Sequence, residues 1–154
     1  MKINLWLFFA CVLLTGCRSE PKEFSYTFIM ESIDAYKLTL TIDHRRQFTI
    51  EEQNFFFDRH ANHYNPVRKE GNMNKTDFKE FKKLLTNSNL FEMLDDYGFD
   101  VEEDQTLHDI IYQIHYKTDG QDKFISIRLD DSTQFPGAFI KLIEYTNSFI
   151  NKNK

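Results

Sequence analysis

Cysteine is nearly absent from this chain of 154 residues, and the scarcity excludes several kinds of site. The only two cysteines, Cys11 and Cys17, both lie close to the N-terminus. The rest of the chain therefore has no disulfide, no thiol nucleophile and no thiolate zinc site. Its stability must come from a packed core, for which 16 phenylalanines and 7 tyrosines supply ample apolar area.

Glycine and positive charge are also scarce. The five glycines are scattered along the chain, so no glycine-rich loop is available to hold a phosphate group. The 24 acidic residues outnumber the 19 basic ones, which gives a formal net charge of −5. A nucleic-acid binder usually has a basic face, so this balance argues against a nucleic-acid partner. The sequence also predicts no cofactor.

The N-terminus has the three parts of a secretory signal peptide. Lys2 is followed by an apolar run over residues 3–14, which only Asn4 interrupts, and the run ends at small residues. A transmembrane helix needs about 20 apolar residues, so this run is too short to be one. The polar residues after position 17 end the run.

The end of this run, Leu14-Thr15-Gly16-Cys17, resembles the lipobox of bacterial lipoproteins. In that family the cysteine receives a diacylglyceryl group, the chain is cut before it, and a fatty acid such as palmitate is often added to the new N-terminus. The resemblance covers residues 1–17 alone. Plain secretion, with Cys17 as an ordinary residue, is the alternative.

The resemblance implies an organisation and a location. Residues 1–16 would be a removed signal peptide, residues 17–23 the lipidated cysteine with a polar tether, and residues 24–154 a single domain. The lipid on Cys17 would bind a membrane of the cell envelope, the outer membrane in a Gram-negative cell, with the domain facing the periplasm or the exterior. Two or three acyl chains give a stable anchor, whereas one alone holds only weakly.

Residues 24–57 alternate between apolar and polar side chains, which predicts a three-stranded meander with one buried face. A short turn at residues 44–46 would place Ile42 opposite Phe48 and Leu40 opposite Ile50. This pairing keeps the apolar sides together, as the two-residue period of a strand requires. Residues 58–73 are polar and irregular, and we expect no strand there.

A helix and a hairpin follow. Asn74 is expected to cap a helix whose apolar stripe includes Phe78, Phe81 and Leu85. Asp119-Gly120 is typical of a two-residue hairpin turn, and folding there places Ile114 opposite Ile125 and Tyr112 opposite Ile127. A second helix is expected after it, capped by Ser132 or Thr133 and with Pro136 in its first turn. The order βββ-α-ββ-α predicts an α+β two-layer sandwich: a five-stranded antiparallel sheet with two helices on one face.

Residues 92–109 contain eight acidic residues and no lysine or arginine. Three interpretations are open: a solvated loop, weak calcium binding through carboxylate oxygens, or a contact surface for a basic partner. An aromatic pair within the run must pack somewhere, either on the domain or on a partner. The candidate partner contacts are Asp95, Asp96, Tyr97, Phe99, Asp100, Glu102, Glu103 and Asp104.

The histidines give no ligand set for a metal ion. His60 and His63 are three residues apart in a polar segment, and no third ligand is placed beside them. The pair His108-Asp109, together with His115, has the residue types of a base and its orienting carboxylate, but no serine is marked as a nucleophile. We therefore predict neither catalytic nor metal-binding residues. The sequence favours a binding or accessory module, with another envelope protein as a candidate partner, over a small envelope hydrolase using carboxylates and histidine.

Overall fold

The computed structural model describes residues 23–32, 35–55, 66–99, 110–128 and 133–154. The strands are β1 (Phe24–Ser32), β2 (Tyr36–Asp43), β3 (Gln47–Asn54), β4 (Val67–Asn72), β5 (Asp96–Tyr97), β6 (Ile110–Thr118) and β7 (Gln121–Arg128). The helices are α1 (Lys75–Asn87) and α2 (Gly137–Asn153), with a 3-10 turn at Leu90–Glu92.

These seven strands form one mixed sheet in the order β4-β3-β2-β1-β6-β7-β5. Every neighbouring pair is antiparallel except β5 and β7, which are parallel. The prediction of a five-stranded antiparallel sheet is therefore wrong, whereas the α+β class is confirmed. Both additional strands are edge strands, one on each side of the sheet.

Strand β4 has no alternating pattern because both of its faces are largely exposed. Its sequence, Val-Arg-Lys-Glu-Gly-Asn, carries charges of the kind that protect a sheet edge from pairing with another chain. Strand β5 has only two residues and lies within residues 92–109, here called the acidic run. Its parallel pairing with β7 joins segments far apart in sequence, so no local sequence pattern predicts this contact.

The predicted registers of the meander and the hairpin are confirmed. Ile42 pairs with Phe48, and Leu40 with Ile50. Tyr112 pairs with Ile127, and the β6–β7 turn lies at Asp119-Gly120. Both turn residues have positive φ, 39° and 83°, as a type I′ turn requires.

The start of α1 agrees with the prediction, and that of α2 differs from it. The side chain of Asn74 accepts a hydrogen bond of 2.8 Å from the backbone N–H of Asp77 and so caps α1. Helix α2 begins at Gly137, because Pro136 keeps an extended backbone conformation. The carbonyl of Pro136 accepts from the backbone N–H groups of Phe139 and Ile140.

The core lies between one face of the sheet and the two helices. Tyr26 of β1 shows how the layers meet, because its ring packs against Phe81 of α1 while its hydroxyl contacts Thr146 of α2. The buried strand residues are Phe24, Tyr26, Phe28, Leu38, Leu40, Ile42, Phe48, Ile50, Ile114, Tyr116, Ile125 and Ile127.

The opposite face, here called the open face, carries mostly threonine, glutamine and charged side chains. Within the described residues neither helix packs on it, and Phe124 is 46% exposed there. Ser126 lies on the same face as Phe124, yet it is only 8% exposed. The reason is β5, which pairs Asp96 directly beside Ser126.

The two ends of the sheet differ. The turn end contains Phe24 and the turns at residues 44–46 and 119–120, since the backbone N–H of His44 bonds to the carbonyl of Phe24. The loop end contains Ser32, which pairs with Tyr36 on one side and Ile110 on the other. The chain thus enters the domain at the turn end.

Candidate functional site

Asp95, the first of the predicted contact residues, is part of the fold. Its carboxylate forms an ion pair with Lys123, whose side chain is only 12% exposed. The same ammonium group donates to the carbonyl of Met93, and the carbonyl of Asp95 accepts from the backbone N–H of Ser126. These bonds fix the chain beside the edge of β7.

Of the next three predicted contacts, one packs on the domain and two are exposed to solvent. Asp96 is exposed, and Tyr97 packs against Phe135 with a ring-centroid distance of 5.2 Å. The Tyr97 hydroxyl accepts from the backbone N–H of Leu94 at 3.1 Å. Phe99 is 42% exposed. Of the two aromatic residues, Tyr97 therefore packs on the domain, whereas Phe99 presents its ring to solvent.

The other predicted contacts lie outside the described residues. These are Asp100, Glu102, Glu103 and Asp104, together with the predicted lipidation site, Cys17. The segment 100–109 joins β5 to β6, whose first residue, Ile110, is at the loop end.

His115 pairs with Asp122 across the β6–β7 hairpin, on the open face. Its Nε2 lies 2.5 Å from Asp122 Oδ1, and the imidazole meets the ring of Phe124 edge to face. Slight desolvation tends to raise the pKa of Asp122, but the hydrogen bond and charge of His115, with the charge of Lys117, outweigh it and lower the pKa. The pair is exposed, so its environment is largely aqueous.

His44 borders a shallow, open cavity of about 440 Å³ at the turn end. Glu23 and Lys117 also line it, where the chain enters β1. His60, His63 and His108 lie outside the described residues. Among the described residues, no group of three or more His, Cys, Asp or Glu side chains could hold a metal ion.

An apolar concave surface runs along α2 at the loop end and is called here the α2 groove. Its first part, about 250 Å³, is lined by Tyr112, Ile127, Phe135, Phe139, Ile140, Ile143, Glu144 and Asn147. Its second part, about 300 Å³, is lined by Phe28, Met30, Leu38, Tyr112, Asn147, Ile150, Asn151 and Lys154. Tyr112 and Asn147 line both parts, so the two are adjacent.

The floor of the α2 groove is one cross-strand row of the sheet. Leu38 pairs with Met30, Met30 with Tyr112, and Tyr112 with Ile127. Helix α2 forms one wall, and Ile140 on its rim is 43% exposed. The groove therefore offers an apolar floor and an accessible edge, the usual form of a small-molecule or peptide site.

Polar groups are concentrated where the two parts meet and at the Lys154 end. Within the described ranges, no hydrogen bond involves the side chains of Tyr112, Asn147 and Asn151. Lys154, by contrast, donates to the Tyr36 hydroxyl at 2.9 Å and forms an ion pair with Glu52 at 3.3 Å. Desolvation tends to lower the pKa of Lys154, but these two partners raise it overall, so the ammonium form is favoured.

Sequence reasoning did not identify the α2 groove. Its one local signal is Ile140, an apolar residue outside the stripe that α2 buries. An exposed isoleucine is common enough to indicate nothing by itself. The predicted pairing of Tyr112 with Ile127 is confirmed, but the access of Tyr112 to solvent depends on where α2 crosses the sheet.

No protein-family model matches this chain, and no curated protein matches it either. Among the described residues, no helix is long and apolar enough to cross a membrane.

Proposed function

We propose that this chain is a lipid-anchored binding module of the cell envelope and that the α2 groove is its binding site. The observation that supports this most directly is the distance between the turn end of the sheet, where the chain enters, and the α2 groove. The chain enters at the turn end, next to Phe24, and the floor of the groove crosses β1 at Met30. Six residues of extended strand separate these points by roughly 20 Å.

The lipobox-like segment supplies the anchor in this proposal. Residues 17–23 can span at most roughly 25 Å when fully extended. A lipid on Cys17 would therefore keep the turn end close to the membrane surface and leave the α2 groove on the far side. In a Gram-negative cell the expected site is the outer membrane, with the groove facing the periplasm or the exterior.

The anchor is tested by substitution of the two cysteines. Cys17→Ser should abolish labelling by a clickable palmitate analogue. The lipidated form of the protein should then be missing from the membrane fraction. Cys11→Ser is the matched control, because it lies in the predicted signal peptide and should leave labelling unchanged. Unlabelled wild-type protein would show that the lipoprotein proposal is wrong.

The binding site is tested by a photo-crosslinking amino acid placed at three exposed positions. Ile140 is on the rim of the α2 groove, Phe124 is on the open face, and Phe99 follows β5 in the acidic run; they are 43%, 46% and 42% exposed. We expect saturable adducts in intact envelopes at Ile140 and not at Phe124. Adducts confined to Phe99 would favour the acidic run as the contact surface, and adducts confined to Phe124 the open face.

A small hydrolase is the second candidate, and it has one observation in its favour. His115 and Asp122 form a base–carboxylate pair, and Thr27 lies directly across from His115 on β1. A hydroxyl, an imidazole and a carboxylate are the residue types of a nucleophilic triad. Turnover of p-nitrophenyl esters that disappears in both His115→Ala and Thr27→Val would support this candidate over the binding module.

A further inference from the structure

The two parts of the α2 groove differ in chemistry, and the difference restricts what they can hold. The part near Ile127 is bounded mainly by isoleucine and phenylalanine side chains. Burying apolar surface there is favourable by about 25 cal/mol per Å². A chain of methylene groups fits this lining better than a polar molecule, because polar groups would lose water without gaining partners.

The polar groups at the junction are uncharged. Tyr112 offers a hydroxyl and Asn147 an amide, and Asn151 adds a second amide in the lining of the second part. These groups both donate and accept hydrogen bonds. In the part of the chain described they have no protein partner, so they are available to a ligand. A head group with hydroxyl or carbonyl oxygens could satisfy them.

The charged groups of the α2 groove disfavour an ionic head group. Lys154 is already paired with Glu52 and bonded to the Tyr36 hydroxyl, so its charge is compensated within the protein. Glu144, an exposed residue in the lining of the first part, would repel an anion. A cationic head at the junction would lose water without gaining an anionic partner, because Glu52 is already paired with Lys154.

We propose that the α2 groove binds a neutral amphiphile. Its apolar chain would lie against Ile127, Phe139 and Ile143, and its uncharged head would bond to Tyr112 and Asn147. This inference rests on the proposed function, since it names the class of ligand for the same site. The ligand would reach the groove from the side of the domain opposite the anchor.

The probe for the test is a diazirine analogue of 1-decanoylglycerol, applied to the full-length processed protein in phospholipid nanodiscs. After irradiation, the labelled peptides are mapped by mass spectrometry. We expect labelling of peptides that contain Tyr112 or residues of α2. Unlabelled 1-decanoylglycerol should compete at concentrations at least tenfold below those of decanoate or decyltrimethylammonium, which have the same chain with a charged head.

Three variants locate the site. Asn147→Trp fills the junction of the two parts and should reduce labelling at least tenfold. Ser148→Trp is the matched control, because Ser148 is exposed and does not line the groove, and its labelling should equal that of wild type. Tyr112→Phe keeps the ring and removes the hydroxyl, so affinity should fall roughly two- to tenfold, the usual effect of one hydrogen bond.

Two results would overturn the inference. Equal competition by decanoate would show that the site does not select an uncharged head, and unchanged labelling of Asn147→Trp would show that the groove is not the site. The crosslinking at Ile140 separates this failure from failure of the proposed function. A protein adduct at Ile140 without saturable labelling by the decanoylglycerol probe would retain the binding module and exclude the neutral amphiphile.

Discussion

The hydroxyl of Tyr26 lies 3.2 Å from Oγ1 of Thr146 in the fully buried centre of the domain, and this contact joins β1 to α2 across 120 residues of sequence. Burial raises the pKa of Tyr26, and the bond to Thr146 offsets only part of that rise, so Tyr26 stays neutral. One hydroxyl donates and the other accepts, so each has a hydrogen-bond partner in a region with no access to water.

Removing either hydroxyl should destabilise the fold by leaving its partner unsatisfied. Thr146→Val and Tyr26→Phe should each lower the free energy of unfolding by about 1–3 kcal/mol in urea denaturation. The double variant removes both polar groups at once, so its cost should be clearly less than the sum of the two. Strict additivity would show that the two hydroxyls do not interact.

The sequence was informative wherever one face of an element is buried. Leu40 and Ile50 could be paired because a slip of one residue would expose both, and Asp119-Gly120 defined the hairpin because that dipeptide tolerates positive φ. Asn74 was recognisable as a cap because its side chain acts within four residues. Each of these signals is local.

The features that the sequence did not reveal depend on distant contacts. Strand β4 is recognisable as a strand only by its hydrogen bonds to β3, for example where Glu51 pairs with Arg68. Strand β5 pairs with β7 beside the ion pair of Lys123 and Asp95, a contact between residues 28 positions apart. The α2 groove is produced by the path of α2 over Tyr112 and Ile127, which no pattern in either element encodes.

The two faces of β7 can be distinguished by a lysine scan. Ile127→Lys places a charge in the core beside Tyr112 and should destabilise by about 3 kcal/mol or more. Phe124→Lys, on the open face, should cost under about 1 kcal/mol because Phe124 is 46% exposed. Thermal unfolding measures both variants, and equal costs would indicate that the open face is covered in solution.

Gly71 pairs with Phe48 where β4 passes close to the ring of that residue. A Cβ at position 71 would lie 2.6 Å from Cζ of Phe48, whose ring is held edge to face against Phe149. Gly71→Ala should therefore cost about 1–3 kcal/mol through overpacking. Gly137→Ala is the control, since a Cβ there meets nothing within 4 Å, and it should be neutral or stabilising by up to about 1 kcal/mol. Similar losses for both would contradict the close approach.

The pKa of Asp122 should depend on His115. Because Asp122 has a lower pKa in the folded state, its ionised form stabilises the fold above the pKa of the unfolded chain, and this contribution is lost as the pH falls through the folded value. His115→Ala should raise the pKa of Asp122 toward its ordinary range, and Lys117→Ala should raise it less. NMR titration of the Asp122 carboxyl below about pH 4 measures both, and an unchanged value in His115→Ala would refute the pairing.

Neighbouring acids of the acidic run should differ in their effect on stability. Asp95→Ala removes one partner of Lys123, a side chain only 12% exposed, and leaves the ammonium group with the carbonyl of Met93. We expect a loss of about 1 kcal/mol, because Asp95 itself is mostly exposed and its charge is partly screened by solvent. Asp96→Ala should cost no more than a few tenths of a kcal/mol, since Asp96 is exposed and contributes its backbone to β5.

The same two variants separate the structural and binding parts of the acidic run. Hydrogen exchange at the backbone N–H of Ser126, which bonds to the carbonyl of Asp95, should accelerate in Asp95→Ala and not in Asp96→Ala. If the run contacts a basic partner, Asp96→Ala should slow association at low salt while exchange at Ser126 stays as in wild type. Faster exchange in both variants would mean that the whole run, and not Asp95 alone, holds β5 against β7, and Asp96 would then belong to the fold.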